Sequence, residues 1–493
     1  MRHLLLLWFS LSLVACGLSP ALPTSIAPDG IVNQVASLST PAAPVTAPSI
    51  LMPDPSQPLV NPSYDLIAYP QDEVPLLSDT PYAISGTAGN RRTETETGLI
   101  MPSVDSEILA LLNEVSPQNL QTYVQTLTGF GTRHALSETL ADSYGIGAAR
   151  RWLVSEFERV GRGRIQILID EFTLDPARSA GSTATQQNII AALPGNDNTT
   201  GAIVVMAHYD SRTTDPFDGQ NPAPGANDNA SGVALLLEMA RLMSSRTWNR
   251  TILFIAFAAE ELETQGSHHF LTNWLNQGGQ IDFAINNDVV GGHAGIEPIV
   301  RVFSPGPDSS PSRQFARYLS YLNAIYFPEF QVILENAADR PHRYGDQREF
   351  IAAGVPSLRL TEVDEDETIH HSDRDTFDRL DYTYMTQIAR LNLVLLAHLA
   401  LVSAPTEPPV LTPLAEPGSY QITWAGTPAA ASYILAFRRP ATMTYEVLYY
   451  ATSEQAGHIT LNSPETAYIF SLAIVDSSGH PGVFSPEINL INP

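Results

Sequence analysis

Imidazole and carboxylate groups, the side chains that most readily hold a cation, recur in this chain just after short apolar runs. Ile203-Val-Val-Met-Ala-His-Tyr-Asp-Ser211 closes a β-branched run with His208-x-Asp210, and Gly225-Ala-Asn-Asp-Asn-Ala-Ser-Gly-Val233 sets Asp228 just ahead of a helical pattern. Thr251-Ile-Leu-Phe-Ile-Ala-Phe-Ala-Ala259 is almost wholly apolar and stops at Glu260-Glu261, while Phe283-Ala-Ile-Asn-Asn287 stops at Asp288. A fourth run, Ser357-Leu-Arg-Leu-Thr361, feeds an acidic loop that reaches His370-His371-Ser-Asp-Arg-Asp375-Thr376. Carboxylates at the end of a buried strand are costly unless something cationic receives them. No Lys or Arg stands at those ends, so a divalent metal is the expected counter-charge. Mixed nitrogen and oxygen donors favour zinc, with manganese or cobalt as substitutes.

Those groups can meet only if the runs are neighbouring strands ending on one side. Helical spacing over 104–112, 117–127, 145–160, 231–244, 264–276, 312–324, 347–353 and 382–401 alternates with strand patterns over 165–172, 187–193, 203–208, 251–258, 283–287, 299–303, 331–334 and 357–361. Alternation of this kind predicts an α/β fold, a mixed, mainly parallel sheet with helices on both faces. In open sheets of that type, sites form outside the carboxyl ends of the strands. The helix over 382–401 has a long apolar run, but Arg390, Asn392 and His398 interrupt it, which predicts a buried core helix rather than a membrane span.

Composition limits the partners. The chain has 493 residues and a net charge of −26, which excludes nucleic acid as a partner and suits an extracytoplasmic medium. Its one cysteine, Cys16, leaves no intrachain disulfide. Arg2 and His3 precede a short apolar run, and Leu13-Val-Ala-Cys16-Gly17 resembles a bacterial lipobox, which implies cleavage before Cys16 and lipidation of its thiol. Residues 1–16 are thus expected to be a lipoprotein-type signal peptide, and the protein to be exported and lipid-anchored to the bacterial cell membrane. Residues 17–103, rich in Pro, Ser and Thr, are expected to form a disordered tether. A linker is expected at 404–413, then short strands without helices over 414–493, which predict a small β-sandwich.

The set Ala207-His-Tyr-Asp-Ser211, Gly225-Ala-Asn-Asp-Asn-Ala-Ser-Gly232, Phe257-Ala-Ala-Glu-Glu261, Asn287-Asp-Val-Val-Gly291 and His371-Ser-Asp-Arg-Asp-Thr376 resembles the M28 family of zinc aminopeptidases. The resemblance covers the region 104–403 and implies the zinc exopeptidase fold, with peptides bearing a free N-terminus as substrates. It implies two zinc ions bridged by Asp228, with His208 and Asp288 on one and Glu261 and His371 on the other. Asp210 would hold the ring of His208, and Glu260 would be the general base for an activated water. A cis peptide after Asp228 is a further implication. The family's oxyanion donor is a tyrosine whose place falls at His342, with Tyr344 close by. The sandwich resembles a fibronectin type III domain, a module that either contacts a surface or polymer or spaces the enzyme. Three other readings share parts of the pattern. Glutaminyl cyclases have this fold with one zinc, carboxypeptidases of the family need a cationic cradle (Arg340, Arg343 and Arg348 are the nearby candidates), and a non-catalytic binding module would have lost ligands that are all present. His268, His269 and His293 read as structural or surface residues, Asp215 and Asp218 as loop solvation, and the acidic run 362–367 as loop solvation or a screen against anionic substrates.

Overall fold

The computed structural model describes residues 82–85, 100–197, 200–401, 407–415, 417–451, 456–461 and 467–490. Cys16, the signal segment and most of the expected tether therefore lie outside the described residues. In chain order the elements are β1 (Tyr82–Ser85), α1 (Ser106–Asn113), α2 (Pro117–Thr128), α3 (Gly145–Gly161), β2 (Gln166–Thr173), β3 (Thr185–Leu193), β4 (Ala202–His208), α4 (Ser231–Met243), β5 (Ile252–Phe257), α5 (Gln265–Asn276), β6 (Ile281–Asn287), β7 (Ile299–Phe303) and α6 (Pro311–Tyr326). After these come β8 (Gln331–Glu335), α7 (Gln347–Ala352), β9 (Ser357–Glu362), α8 (Tyr382–Leu401), β10 (Val410–Pro413), β11 (Ser419–Thr423), β12 (Ser432–Arg438), β13 (Val447–Ala451), β14 (Ala456–Leu461), β15 (Tyr468–Val475) and β16 (Ile488–Leu490).

The central sheet has eight strands in the order β2-β3-β5-β4-β6-β9-β7-β8. Strands β5, β4, β6 and β9 pair in parallel, so their carboxyl ends share one edge. Their apolar sequences are explained by burial on both faces: every residue of β4 and β5 is buried. Alternation along β4 sends Ile203, Val205 and Ala207 into a core shared with α4 and α8. Val204 and Met206 point the other way, toward Phe270 and Leu271 of α5 and Phe350 of α7. Helix α8 is buried over 83% of its apolar window, although by length and composition alone it passes as a membrane span. Its polar interruptions all have partners: Asn392 exchanges amide hydrogen bonds with Asn287 of β6 at 2.9 and 3.0 Å, Arg390 Nε donates to the Leu112 carbonyl at 3.0 Å, and His398 Nε2 lies 3.1 Å from Tyr326 Oη.

Small antiparallel sheets follow, β1-β14-β11-β10 and β13-β12-β15-β16. Here the structure departs from the expected boundaries. Residues 410–413, read as linker, pair with β11, and Pro413 is tolerated because β10 is an edge strand. Residues 82–85, read as tether, pair with β14, Tyr82 opposite Leu461 and Ser85 opposite His458. Both segments are too short and too rich in turn residues nearby to show a period of two.

The sandwich also shares a core with the α/β region. Tyr433, Leu435 and Phe437 of β12 face the other small sheet. Ile434 and Ala436 on the opposite face join the large core, together with Ala473, Val475 and Phe484. Phe484 packs edge-on against Tyr321 of α6 at 5.4 Å, and Tyr318 Oη donates to the Pro481 carbonyl at 2.6 Å. The buried guanidinium of Arg438 pairs with Glu487 and Asp308, and Arg317 of α6 pairs with the same two acids.

Candidate metal centre

His208 is the last residue of β4, and its parallel neighbours β5 and β6 lie on either side, about 4.8 Å away. The residues just past those ends are therefore near one another without any long excursion of the chain. After β5 the backbone turns sharply at Ala259, which has a φ of 58°, and delivers Glu260 and Glu261. Val289 beside Asp288 (φ 58°) and His371 (φ 53°) also adopt left-handed backbone, a conformation that non-glycine residues hold only where the surroundings dictate it. Asp228 sits in the tight turn Ala226–Ala230 that starts α4, and the Asp228–Asn229 peptide is cis. Gly232 lets that helix approach β6: a Cβ there would lie 2.2 Å from the Asn287 carbonyl oxygen.

The groups meet in two overlapping sets. His208 Nε2 lies 3.2 Å from Asp228 Oδ1 and 3.5 Å from Asp288 Oδ1. His371 Nε2 lies 3.2 Å from Asp228 Oδ2 and 3.4 Å from Glu261 Oε2. Asp228 thus turns one oxygen to each imidazole. In both sets the candidate donor atoms fall within 4.8 Å of one another, and Glu261 Oε1 is buried without a hydrogen-bond partner. Imidazole nitrogens and carboxylate oxygens this close, in a buried site, form a donor set that fits a divalent cation in each half. Glu260 lies beside them, its Oε2 3.9 Å from His208 Nε2.

The electrostatics point the same way. Burial alone would raise the Asp228 carboxyl, but hydrogen bonds from His208 and His371 hold it well below the usual range. Burial would lower both imidazoles; the surrounding carboxylates overcome it, Glu260 foremost at His208 and Glu261 at His371, which is pushed up to about 10. Burial pushes Glu260 well above an ordinary glutamate, opposed by His208 and reinforced by Glu261, Asp288 and Asp346. So concentrated a negative field is what a divalent cation satisfies by displacing protons from its ligands.

Supporting contacts were less visible in the sequence. The Asp210 carboxylate accepts the backbone N–H groups of Glu260 at 3.2 Å and Glu261 at 3.1 Å. Its Oδ1 is 3.5 Å from His208 Nδ1, while its own carbonyl is closer to that nitrogen, at 3.2 Å. Asp210 therefore braces the paired-glutamate turn as well as the ring. Asp375 accepts the N–H groups of Asn227 at 2.8 Å and Asp228 at 3.0 Å; burial pushes its carboxyl up to about 6 against those bonds. Glu362, read as part of a solvated acidic run, is instead buried: it accepts from Asn227 Nδ2 at 3.0 Å and the Gly292 N–H at 2.6 Å.

The expectation that no arginine stands beside these carboxylates is corrected. Arg359, inside β9 and 1% exposed, places Nη1 3.0 Å from Asp288 Oδ2 and 2.7 Å from Asp339 Oδ2. A charge within an otherwise apolar strand needs a buried partner, and that signal stood in Ser-Leu-Arg-Leu-Thr. Arg212, in the loop after β4, places Nε 2.7 Å from Glu261 Oε2. His342 is exposed with a φ of 61°, and Tyr344 is 44% exposed with the Arg348 guanidinium 5.0 Å from its ring centre. His370, beside the converging His371, is buried with neither ring nitrogen hydrogen-bonded. His268 pairs with Glu349, His269 stacks on Phe172, and His293 is half-buried with Nε2 3.8 Å from Asp364 Oδ2.

A mixed α/β sheet with this cluster at its carboxyl edge defines a metallohydrolase-like class. The profile of peptidase family M28 matches residues 188–396. A probable zinc metalloprotease of Leptosphaeria maculans is 28% identical over 426 residues, which is 78% of this chain and 98% of that protein. One from Pyricularia oryzae is 33% identical over 341 residues, 62% of this chain and 68% of that protein. Among solved structures, LapB from Legionella pneumophila superposes with a TM-score of 0.51 at 22% identity, covering 62% of this chain and 79% of that one. The chain belongs to peptidase family M28.

Proposed function

We propose that this protein is a di-zinc aminopeptidase that removes residues from the N-termini of peptides. The observation that carries the reading is Asp228, which offers one oxygen to each of two imidazole-carboxylate sets. His208, Asp228 and Asp288 would hold one ion, and Asp228, Glu261 and His371 the other; the names of the fungal relatives support zinc as the metal. When bound, such a pair supplies Lewis-acid polarisation of the scissile carbonyl and lowers the pKa of a water. Glu260 would take a proton on Oε2 and return it to the leaving amine; its position 3.9 Å from His208 Nε2 and its burial, which raises its basicity, support that role. Asp210 orients the turn on which Glu260 stands. The exposed loop with Tyr344 and His342 is assigned to the substrate, one of them as the oxyanion donor.

The remaining assignments follow from the sequence resemblances: export and lipid anchoring through Cys16, and a fibronectin type III-like sandwich after the peptidase region. The test of the central reading is Glu260→Ala assayed on leucine-anilide with a parallel zinc count. Turnover should fall by roughly 10²–10⁴-fold or more, with two zinc equivalents retained. Unchanged turnover would remove Glu260 as base. One zinc equivalent with cyclisation of N-terminal glutamine would replace the peptidase by a glutaminyl cyclase.

A further inference from the structure

The centre's two outer carboxylates each carry an arginine, but on different oxygens. Asp288 divides its oxygens: Oδ1 faces His208 Nε2 at 3.5 Å, and Oδ2 receives Arg359 Nη1 at 3.0 Å. Arg359 is fully buried and is fixed again by Asp339 at 2.7 Å and the Tyr344 carbonyl at 3.1 Å, so it holds Asp288 from behind and leaves the inward oxygen to the centre. Glu261 does not divide its oxygens. Oε2 is both the atom 3.4 Å from His371 Nε2 and the acceptor of Arg212 Nε at 2.7 Å, while Oε1 has no partner. The Arg212 side chain is 22% exposed, and Glu261 is its one hydrogen-bond partner among the described residues.

We infer that Arg212 competes with a metal ion for the Glu261 carboxylate, so that the half formed by Asp228, Glu261 and His371 fills at higher metal concentration than the half formed by His208, Asp228 and Asp288. A guanidinium on Oε2 opposes a second cation there both by its charge and by occupying one lone pair of the oxygen that faces His371. Filling that half through Oε2 requires Arg212 to loosen its hold on Glu261, which its partial exposure permits, or Glu261 to turn its unpartnered Oε1 inward. Arg359 imposes no such requirement on Asp288. Arg212 is thus a positioning residue for the empty and half-filled forms, and a brake on the fully loaded one.

The inference rests on the two-ion reading, and the experiment separates the two. The full-length protein is stripped with a chelator and equilibrated at buffered free Zn²⁺ concentrations, and bound zinc is counted by atomic emission. Wild type is compared with Arg212→Met and Arg212→Gln, all three checked by thermal melting. Wild type should fill in two steps. Both variants should tighten the weaker step by roughly tenfold, the strength of one charge-assisted hydrogen bond, and leave the stronger step unmoved. Two equivalents with an unchanged weaker step in whichever variant folds would overturn the role of Arg212 and leave the two-ion reading standing. Weaker filling in the variants would overturn it too, by showing that Arg212 supports that half. A single equivalent in wild type and variants alike would overturn the two-ion reading itself.

Discussion

The Asp210 carboxylate lies 3.5 Å from His208 Nδ1, the ring nitrogen turned away from the centre, yet three parts of the centre lean on it. In Asp210→Ala the N–H groups of Glu260 and Glu261 lose their acceptor and His208 loses a neighbour that steadies its ring. Each hydrogen bond to a charged acceptor is worth about 1.5–3 kcal/mol, so the turn is destabilised by on the order of 3 kcal/mol even if water takes up part of the loss. Removing such an outer support typically weakens metal binding about 10–100-fold, equivalent to roughly 1.4–2.7 kcal/mol. Asp210→Asn keeps one carbonyl acceptor but aims an amide N–H₂ at one of the two donors, so it should fall between wild type and alanine. Equilibrium dialysis against buffered zinc, with thermal melting of the same samples, reads both effects. Wild-type zinc affinity in Asp210→Ala would refute the bracing argument, whatever its effect on melting.

Three further expectations concern the frame around the centre. His480 donates to Asp476 Oδ2 at 3.0 Å and to Asp105 Oδ2 at 2.7 Å; the Asp476 bond foremost, with the Asp105 bond, outweighs its burial and pushes it up from 6.5 to about 9. A raised folded-state pKa contributes stability that is full below pH 6.5 and fades as pH climbs to about 9, so the melting-temperature gap between wild type and His480→Ala should be wide at pH 6 and narrower by pH 10, where the neutral ring keeps its packing and one N–H donor. Ile434→Asp places a carboxylate in the shared core at a cost of about 3 kcal/mol or more, and calorimetry should show the peptidase and sandwich regions losing stability in one transition. Two transitions, with only one moved, would contradict a common core. Gly232→Ala must push α4 from the Asn287 carbonyl, costing about 1–3 kcal/mol, and a wild-type melting temperature would show that the helix yields freely.

The strands that carry the centre were legible because each has a short, near-continuous apolar sequence, and that pattern is a property of the segment itself. Convergence of His208, Asp228, Glu261, Asp288 and His371 followed from motif order and from the parallel topology that the alternation of elements demanded. What the sequence hid were pairings between distant segments. Arg359 looked like an oddity in β9 until Asp288 and Asp339 stood beside it, and Glu362 looked solvated until Asn227 and Gly292 closed over it. Asp375 was visible only as part of a signature, although it holds the turn that presents Asp228. Edge strands β1 and β10 escaped notice because four residues are too few for periodicity to stand out from a Pro-rich background.

The sheet β13-β12-β15-β16 has a consequence for anything the C-terminal module engages. Among the described residues, one face packs against its sister sheet and the other toward α6, so neither face of this sheet lies open to a guest. Recognition by this module would fall to its loops, its edges and the outward side of β1-β14-β11-β10. A guest caught there would ride with the catalytic half of the molecule, brought to it as if by a fixed handle rather than on a leash.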